Sequence, residues 1–206
     1  MNKDVLLEAQ RRFLDRYPGG FDHPEMAAMA KKFKMTQHGD FARERFARDQ
    51  FSEPHAIIDA AATLVSRSTL VSMFEKPKFK AVVAGLSEVE TEDWAAAWFE
   101  FLHGDQQEGF VALVASLARH QLARWTLVTV VPAYYAQQTE VFVKPSTAKL
   151  IVNRLELGLA YHPTPSWEFY AAFRQALLAM RAIASDTNAP SNAAFSGILM
   201  NYLDAG

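Results

Sequence analysis

Pro165–Ala184 reads PSWEFYAAFRQALLAMRAIA, and this stretch decides the fold class. Phe169, Ala172, Phe173, Ala176, Leu177, Met180, Ile183 and Ala184 recur at helical spacing and fall on one face. Thr164 ahead of Pro165 predicts the start, a capping hydroxyl followed by proline at the first helical position. The period is 3.6, not 2, so the chain buries a stripe and not a pleated face.

The same period appears upstream. Thr91-Glu92-Asp93 opens a second helix, with acids at the positive end of its dipole and a stripe of Trp94, Ala97, Trp98, Phe101 and Leu102 before Gly104. Phe110, Leu113, Val114, Leu117, Ala118 and Gln121 give a third. Ala148, Ile151, Val152 and Leu155 give a fourth, stopped by Gly158, with Leu159 placed for the contact that accompanies such a cap. Further helices are predicted over residues 3–16, 24–34, 40–50, 53–66, 76–86 and 191–204. Residues 125–143 are ambiguous. Val128, Val130 and Val131 suit a strand, and Val141-Phe142-Val143 reads as extended before Pro145, so a small extended element near 128–143 is allowed for. The predicted fold is mostly α, a single helical domain over residues 1–206 with about nine or ten helices around an aromatic core.

Composition agrees. The 206 residues are 50% apolar and 21% charged, with 15 Phe, 4 Trp and 6 Tyr, as in a folded globular chain. There is no cysteine, which excludes disulfides, a thiolate nucleophile and Cys-ligated metal. A net charge of −2 gives the whole molecule no attraction for polyanions. The opening MNKDVLLEAQRRF is charged and amphipathic, unlike a signal peptide. The longest uncharged run, Trp125–Thr139, is too short to span a bilayer and is broken by Pro132. A cytoplasmic protein without membrane attachment is the expectation.

Motifs for chemistry are sparse. His23, His38, His55, His103, His120 and His162 include no pair three or four residues apart, and HExxH is absent, so no metal site is predicted. His38-Gly39-Asp40 reads as a solvated turn. No GxSxG, GxGxxG or Walker loop occurs, Ser66, Ser68 and Ser191 lack an evident base, and no cofactor is implied. The acids between Glu88 and Glu108 read as a helix entry and a solvated face.

Three functional readings stay open. The first is a non-enzymatic helical interaction module with a protein partner or self-association. An exposed apolar patch would favour it. The second is a nucleic-acid-associated protein using two basic segments, 31–48 and 76–80, with Arg43, Arg45, Arg48, Lys76, Lys78 and Lys80 on phosphates and Phe79 or Trp125 for stacking. The third is a small-ligand or anion binder, or an enzyme. Lys144 beside a helix start would meet the anion, Tyr161, Trp167 and Tyr170 would wall the site, and His162 would add a polar group.

Arg124-Trp125, the segment FVKPSTAKLIVNRLELGLAYHPTPSWEFYAAFR (142–174) and SRSTLVSMFEKPKFK (66–80) resemble sequence patterns of a group of uncharacterised bacterial helical proteins. The likeness covers a third to a half of the chain. It implies helical architecture, no established activity, and attention to Lys76, Lys144, Pro145, Tyr161 and Trp167.

Overall fold

The computed structural model describes Met1–Leu203 as one helical array, with no strand among the described residues. Eleven α-helices follow in order: α1 Lys3–Arg16, α2 Pro24–Phe33, α3 Met35–Arg45, α4 Pro54–Arg67, α5 Glu75–Val83, α6 Glu88–His103, α7 Gln106–Arg119, α8 Trp125–Tyr135, α9 Pro145–Arg154, α10 Trp167–Ile183 and α11 Asn192–Tyr202. Short 3-10 turns at Gly20–Asp22, Arg48–Ser52 and Ser185–Thr187 connect them. No described helix is long and apolar enough to cross a membrane.

Helix α8 is the axis of the core. Every residue from Trp125 to Tyr134 is buried, Thr126 and Thr129 included, so the helix is covered on all sides, as one enclosed by others must be. This resolves the ambiguity at Val128, Val130 and Val131. Their β-branching disfavours a helix only by tenths of a kcal/mol, which burial on every face easily outweighs. The extended element allowed for near 128–143 is not formed. After Tyr135 the chain runs irregularly to Lys144, its polar backbone satisfied without a partner strand. The backbone N–H of Asn192 donates to the Gln137 carbonyl at 3.0 Å, and its side-chain amide donates to that of Glu140 at 3.0 Å. The Thr129 hydroxyl accepts from the Val143 N–H, also at 3.0 Å.

Around α8 the aromatics interlock. Phe110 of α7 lies within 5.1–6.3 Å, centroid to centroid, of Phe101, Trp125, Trp167 and Tyr170. Helices α6 and α7 form a tight hairpin. Gly109 makes it possible, because a Cβ there would collide with the backbone of Glu100 and Phe101.

Several helix ends differ from expectation, two of them because a serine other than the expected residue makes the cap. Helix α6 starts before Thr91, at Glu88, because Ser87 and Glu90 form a capping box. Helix α10 starts after Pro165, with Ser166 accepting from the Phe169 N–H at 3.4 Å. Helix α9 ends at Arg154, short of Gly158. Glu156 takes the left-handed conformation, and the Leu157 N–H reaches the Val152 carbonyl at 3.0 Å. The span expected over 40–50 is α3 followed by the Arg48–Ser52 turn, and the terminal helix stops at Tyr202, with residue 204 of its expected span outside the described residues. His38-Gly39-Asp40 is not a solvated turn. It lies inside α3, with His38 4% exposed and Gly39 so close to the Gln137 amide that a Cβ would strike it.

Candidate functional site

Between α4 and α5 the chain builds a small, hydrogen-bonded, apolar projection. Ser68 ends α4, fully buried, its hydroxyl 3.0 Å from that of Tyr134, itself fully buried. The same hydroxyl accepts from the N–H groups of Leu70 at 3.0 Å and Val71 at 3.4 Å. Four residues on, Ser72-Met73-Phe74-Glu75 folds as a hydrogen-bonded turn, the Glu75 N–H donating to the Ser72 carbonyl at 3.0 Å. The Glu75 carboxylate accepts from the Ser72 N–H at 3.3 Å, and the Ser72 hydroxyl accepts from the Phe74 N–H at 3.3 Å. Glu75 is pinned from the core side too, accepting from the Thr126 hydroxyl of α8 at 2.7 Å.

On this braced turn Met73 is 73% exposed and Phe74 77%. Lys78 and Lys80 are exposed on the helix that follows, and Lys76 is half-buried at its start. The Thr69 hydroxyl donates to the Phe33 carbonyl at 3.3 Å, tying the projection to the end of α2. Helix α2 buries only Met26 and exposes Met29 and Phe33, one turn apart, with Lys31 and Lys32 between them. The surface is apolar side chains set among lysines.

At the far end of α4 lies a cleft of about 420 Å³. Ala95, Ala96, Phe51 and Phe99 supply its apolar lining, and Glu92, Glu100 and Arg48 its charges. Phe51 and Phe99 meet edge to face at 5.4 Å. A wider cleft of about 670 Å³ lies between α10 and the Ser185–Ala189 segment, with Arg181, Gln138 and Asn188 on its wall. Arg181 is already occupied there, donating to Asn192, Gln138 and the Ala189 carbonyl at 2.6–3.0 Å.

The residues proposed for an anion or ligand site lie outside the two clefts described. Neither cleft is lined by Lys144, Tyr161, His162, Trp167 or Tyr170. Lys144 is exposed at the start of α9 and contributes no side-chain cap. His162 is exposed, and its backbone carbonyl accepts from the Trp125 indole at 2.7 Å. Tyr161 packs on Trp125 and Phe169, with Lys149 over its ring at 5.0 Å. Trp167 and Tyr170 meet at 5.9 Å, but Tyr170 is fully buried and so is a core residue, not a wall open to a ligand.

Tyr170 belongs to a buried polar node that sequence reasoning missed. Its hydroxyl donates to Glu140 at 2.5 Å. Arg174 reaches both Glu140 oxygens at 2.8 and 3.0 Å, and Gln106 donates to one of them at 3.0 Å. Burial first, then the Glu140 carboxylate, pushes the Tyr170 phenol well above its usual pKa, so it remains a donor. With Glu140 at 8% exposure and its oxygens satisfied by neighbours, the node cross-links α7, α10 and the irregular segment.

The basic residues do not form one stripe. Arg43 pairs with Asp40 at 2.6 Å, and Arg45 lies 3.7 Å from Glu44 and over the Phe41 ring. Arg48 donates to the His103 carbonyl at 2.5 Å and lines the 420 Å³ cleft, at the other end of α4 from Lys76, Lys78 and Lys80. The two aromatics considered for base stacking, Phe79 and Trp125, are each 1% exposed and belong to the core. No group of three or more His, Asp or Glu able to hold a metal occurs among the described residues.

The acids of 88–108 are mostly committed to capping and pairing. Glu90 caps α6 and meets His120 at 3.0 Å; Asp105 caps α7; Glu100 accepts from the Asp105 N–H at 2.8 Å. Glu88 lies 3.0 Å from His55, and Asp93 3.6 Å from Arg119. Compared with protein-family models, with curated proteins and with solved structures, the chain has no match.

Proposed function

We propose that this chain is a non-enzymatic interaction module that docks a protein partner through the Ser72–Glu75 projection. The observation that carries the reading is the combination of exposure and bracing at Met73 and Phe74. Two large apolar side chains in water are unremarkable on a slack loop. Here the Ser72–Glu75 and Ser72–Phe74 bonds, a buried Ser68–Tyr134 contact and the Glu75–Thr126 bond brace the turn that carries them. A preorganised apolar anchor loses little conformational entropy on docking, which is what a binding hot spot requires. Lys76, Lys78 and Lys80 beside it favour an acidic rim on the partner.

The test places a photo-crosslinking amino acid at position 74 in the full chain, expressed in its native cells. A discrete adduct that disappears with Met73→Asp supports docking at this tip. The absence of any discrete adduct overturns it.

A further inference from the structure

We infer that the partner is a second copy of this chain, joined head to tail, with the Met73–Phe74 projection of one molecule seated in the 420 Å³ cleft of the next. The inference rests on the docking reading and names its occupant. Three features favour it. First, the surfaces are unlike and complementary. The projection offers two bare apolar side chains followed by Lys76, Lys78 and Lys80, and the cleft offers Ala95, Ala96, Phe51 and Phe99 beneath Glu92 and Glu100. Among the cleft's lining side chains two acids, Glu92 and Glu100, stand against a single arginine, Arg48. Second, the cleft's one arginine, Arg48, already has partners within its own chain: it donates to the His103 carbonyl and lies over the Phe99 ring, whose centroid is 5.2 Å from its guanidinium. Third, the two surfaces lie at opposite ends of α4. Ser52 and Pro54 line the cleft at the amino end of this helix, and the projection follows Arg67 at its carboxyl end. A helix of 14 residues spans roughly 21 Å. A molecule cannot fold one surface into its own other surface, but one copy can add to the next along that axis. The interface is heterologous, so each copy uses a different face from its neighbour.

Such an interface has a signature that a two-fold dimer lacks. The test is sedimentation velocity of the full chain from about 10 µM to about 1 mM, the range where a small interface associates. Wild type is expected to gain mass with concentration, and less so at high salt. A projection variant, Met73→Ser with Phe74→Ser, and a cleft variant, Ala96→Arg, are each expected to stay monomeric at every concentration. Mixed one to one, they are expected to give a dimer and nothing larger, because each retains the half that the other lacks. Glu92→Lys serves as a second cleft variant, and far-UV circular dichroism verifies that each is folded. A mixture that stays monomeric, or a projection variant that still associates alone, overturns the head-to-tail assembly. A monomeric wild type overturns it too. In that case an adduct of position 74 with a different protein leaves the docking reading standing, and no adduct removes both.

Discussion

Around Glu140, polar side chains have been taken out of water and satisfied by one another, whereas at Met73 and Phe74 apolar side chains have been left in water on a backbone that hydrogen bonds hold still. Both arrangements run against the ordinary partition of residues between core and surface. The Glu140 node has its balancing groups within the fold: Arg174, Tyr170 and Gln106 reach the carboxylate, and Asn192 reaches the backbone carbonyl. The projection has bracing for its backbone but no cover for its side chains. The first is complete in the single chain; the second, on the docking proposal, is completed by a partner. That difference is why the proposed function is placed at the projection and a stabilising role at the node.

The contrast is broken most severely at the node. Glu140→Ala leaves Arg174 without its carboxylate in a largely buried setting and should cost about 3–5 kcal/mol in urea unfolding. At the projection the corresponding change is to the bracing: Ser72→Ala removes the hydroxyl that accepts from the Phe74 N–H and should cost about 0.5–1 kcal/mol. It should also weaken docking, although residue 72 need not touch the partner.

A smaller effect comes from pH. His38 lies edge-on to Tyr134, at 5.2 Å, with Nε2 buried and without a partner among the described residues. Burial, then the charges of Lys34, Arg67 and Lys76, lower its pKa in the folded state from 6.5. The unfolded chain therefore binds the proton more readily. Stability from the neutral ring is complete above about pH 6.5 and is lost as pH falls through the folded value. Unfolding titrations between pH 7 and pH 5 should show this slope, and His38→Phe should flatten it. The smallest effect on stability is expected for Met73→Ser with Phe74→Ser, within about 0.5 kcal/mol of wild type, because neither side chain is buried. A loss well above that value would mean that these side chains support the fold, and the contrast with Glu140 would fail.

Much of the fold was legible because α10, α6 and α7 carry apolar stripes at helical period. The starts of α6 and α10 differ from expectation because Ser87, four residues before Thr91, and Ser166, two after Thr164, make the caps. The Val128–Val131 run was misjudged for a deeper reason. Residue preference describes a segment alone, and α8 is helical because other helices surround it. Function was less legible still. The S-x-x-E spacing of Ser72 and Glu75 is visible in the sequence, but nothing in it distinguishes Phe74 from Phe79. Five positions apart on one helical course, they point to opposite sides, and one is 77% exposed while the other is 1%. The cleft is invisible for a different reason, since residues 48–54 and 92–100 meet only after α4 and α6 pack. Likewise Glu140, Tyr170 and Gln106 form a node only through the approach of α7 and α10.

Lys34 joins α2 to α3 in the left-handed region, with φ 50°, an unfavourable conformation for a side chain of that size. With Met26 as its one buried residue, α2 has little to oppose its release. It should therefore open as a separate unit well below the free energy of global unfolding, and its amides should exchange with deuterium long before those of α8. Each opening would relax the Lys34 backbone and free the Phe33 carbonyl from Thr69, so the projection would lose a tether at the same rate. Fast amide exchange in α2 would then act as a clock for how often the docking surface loosens.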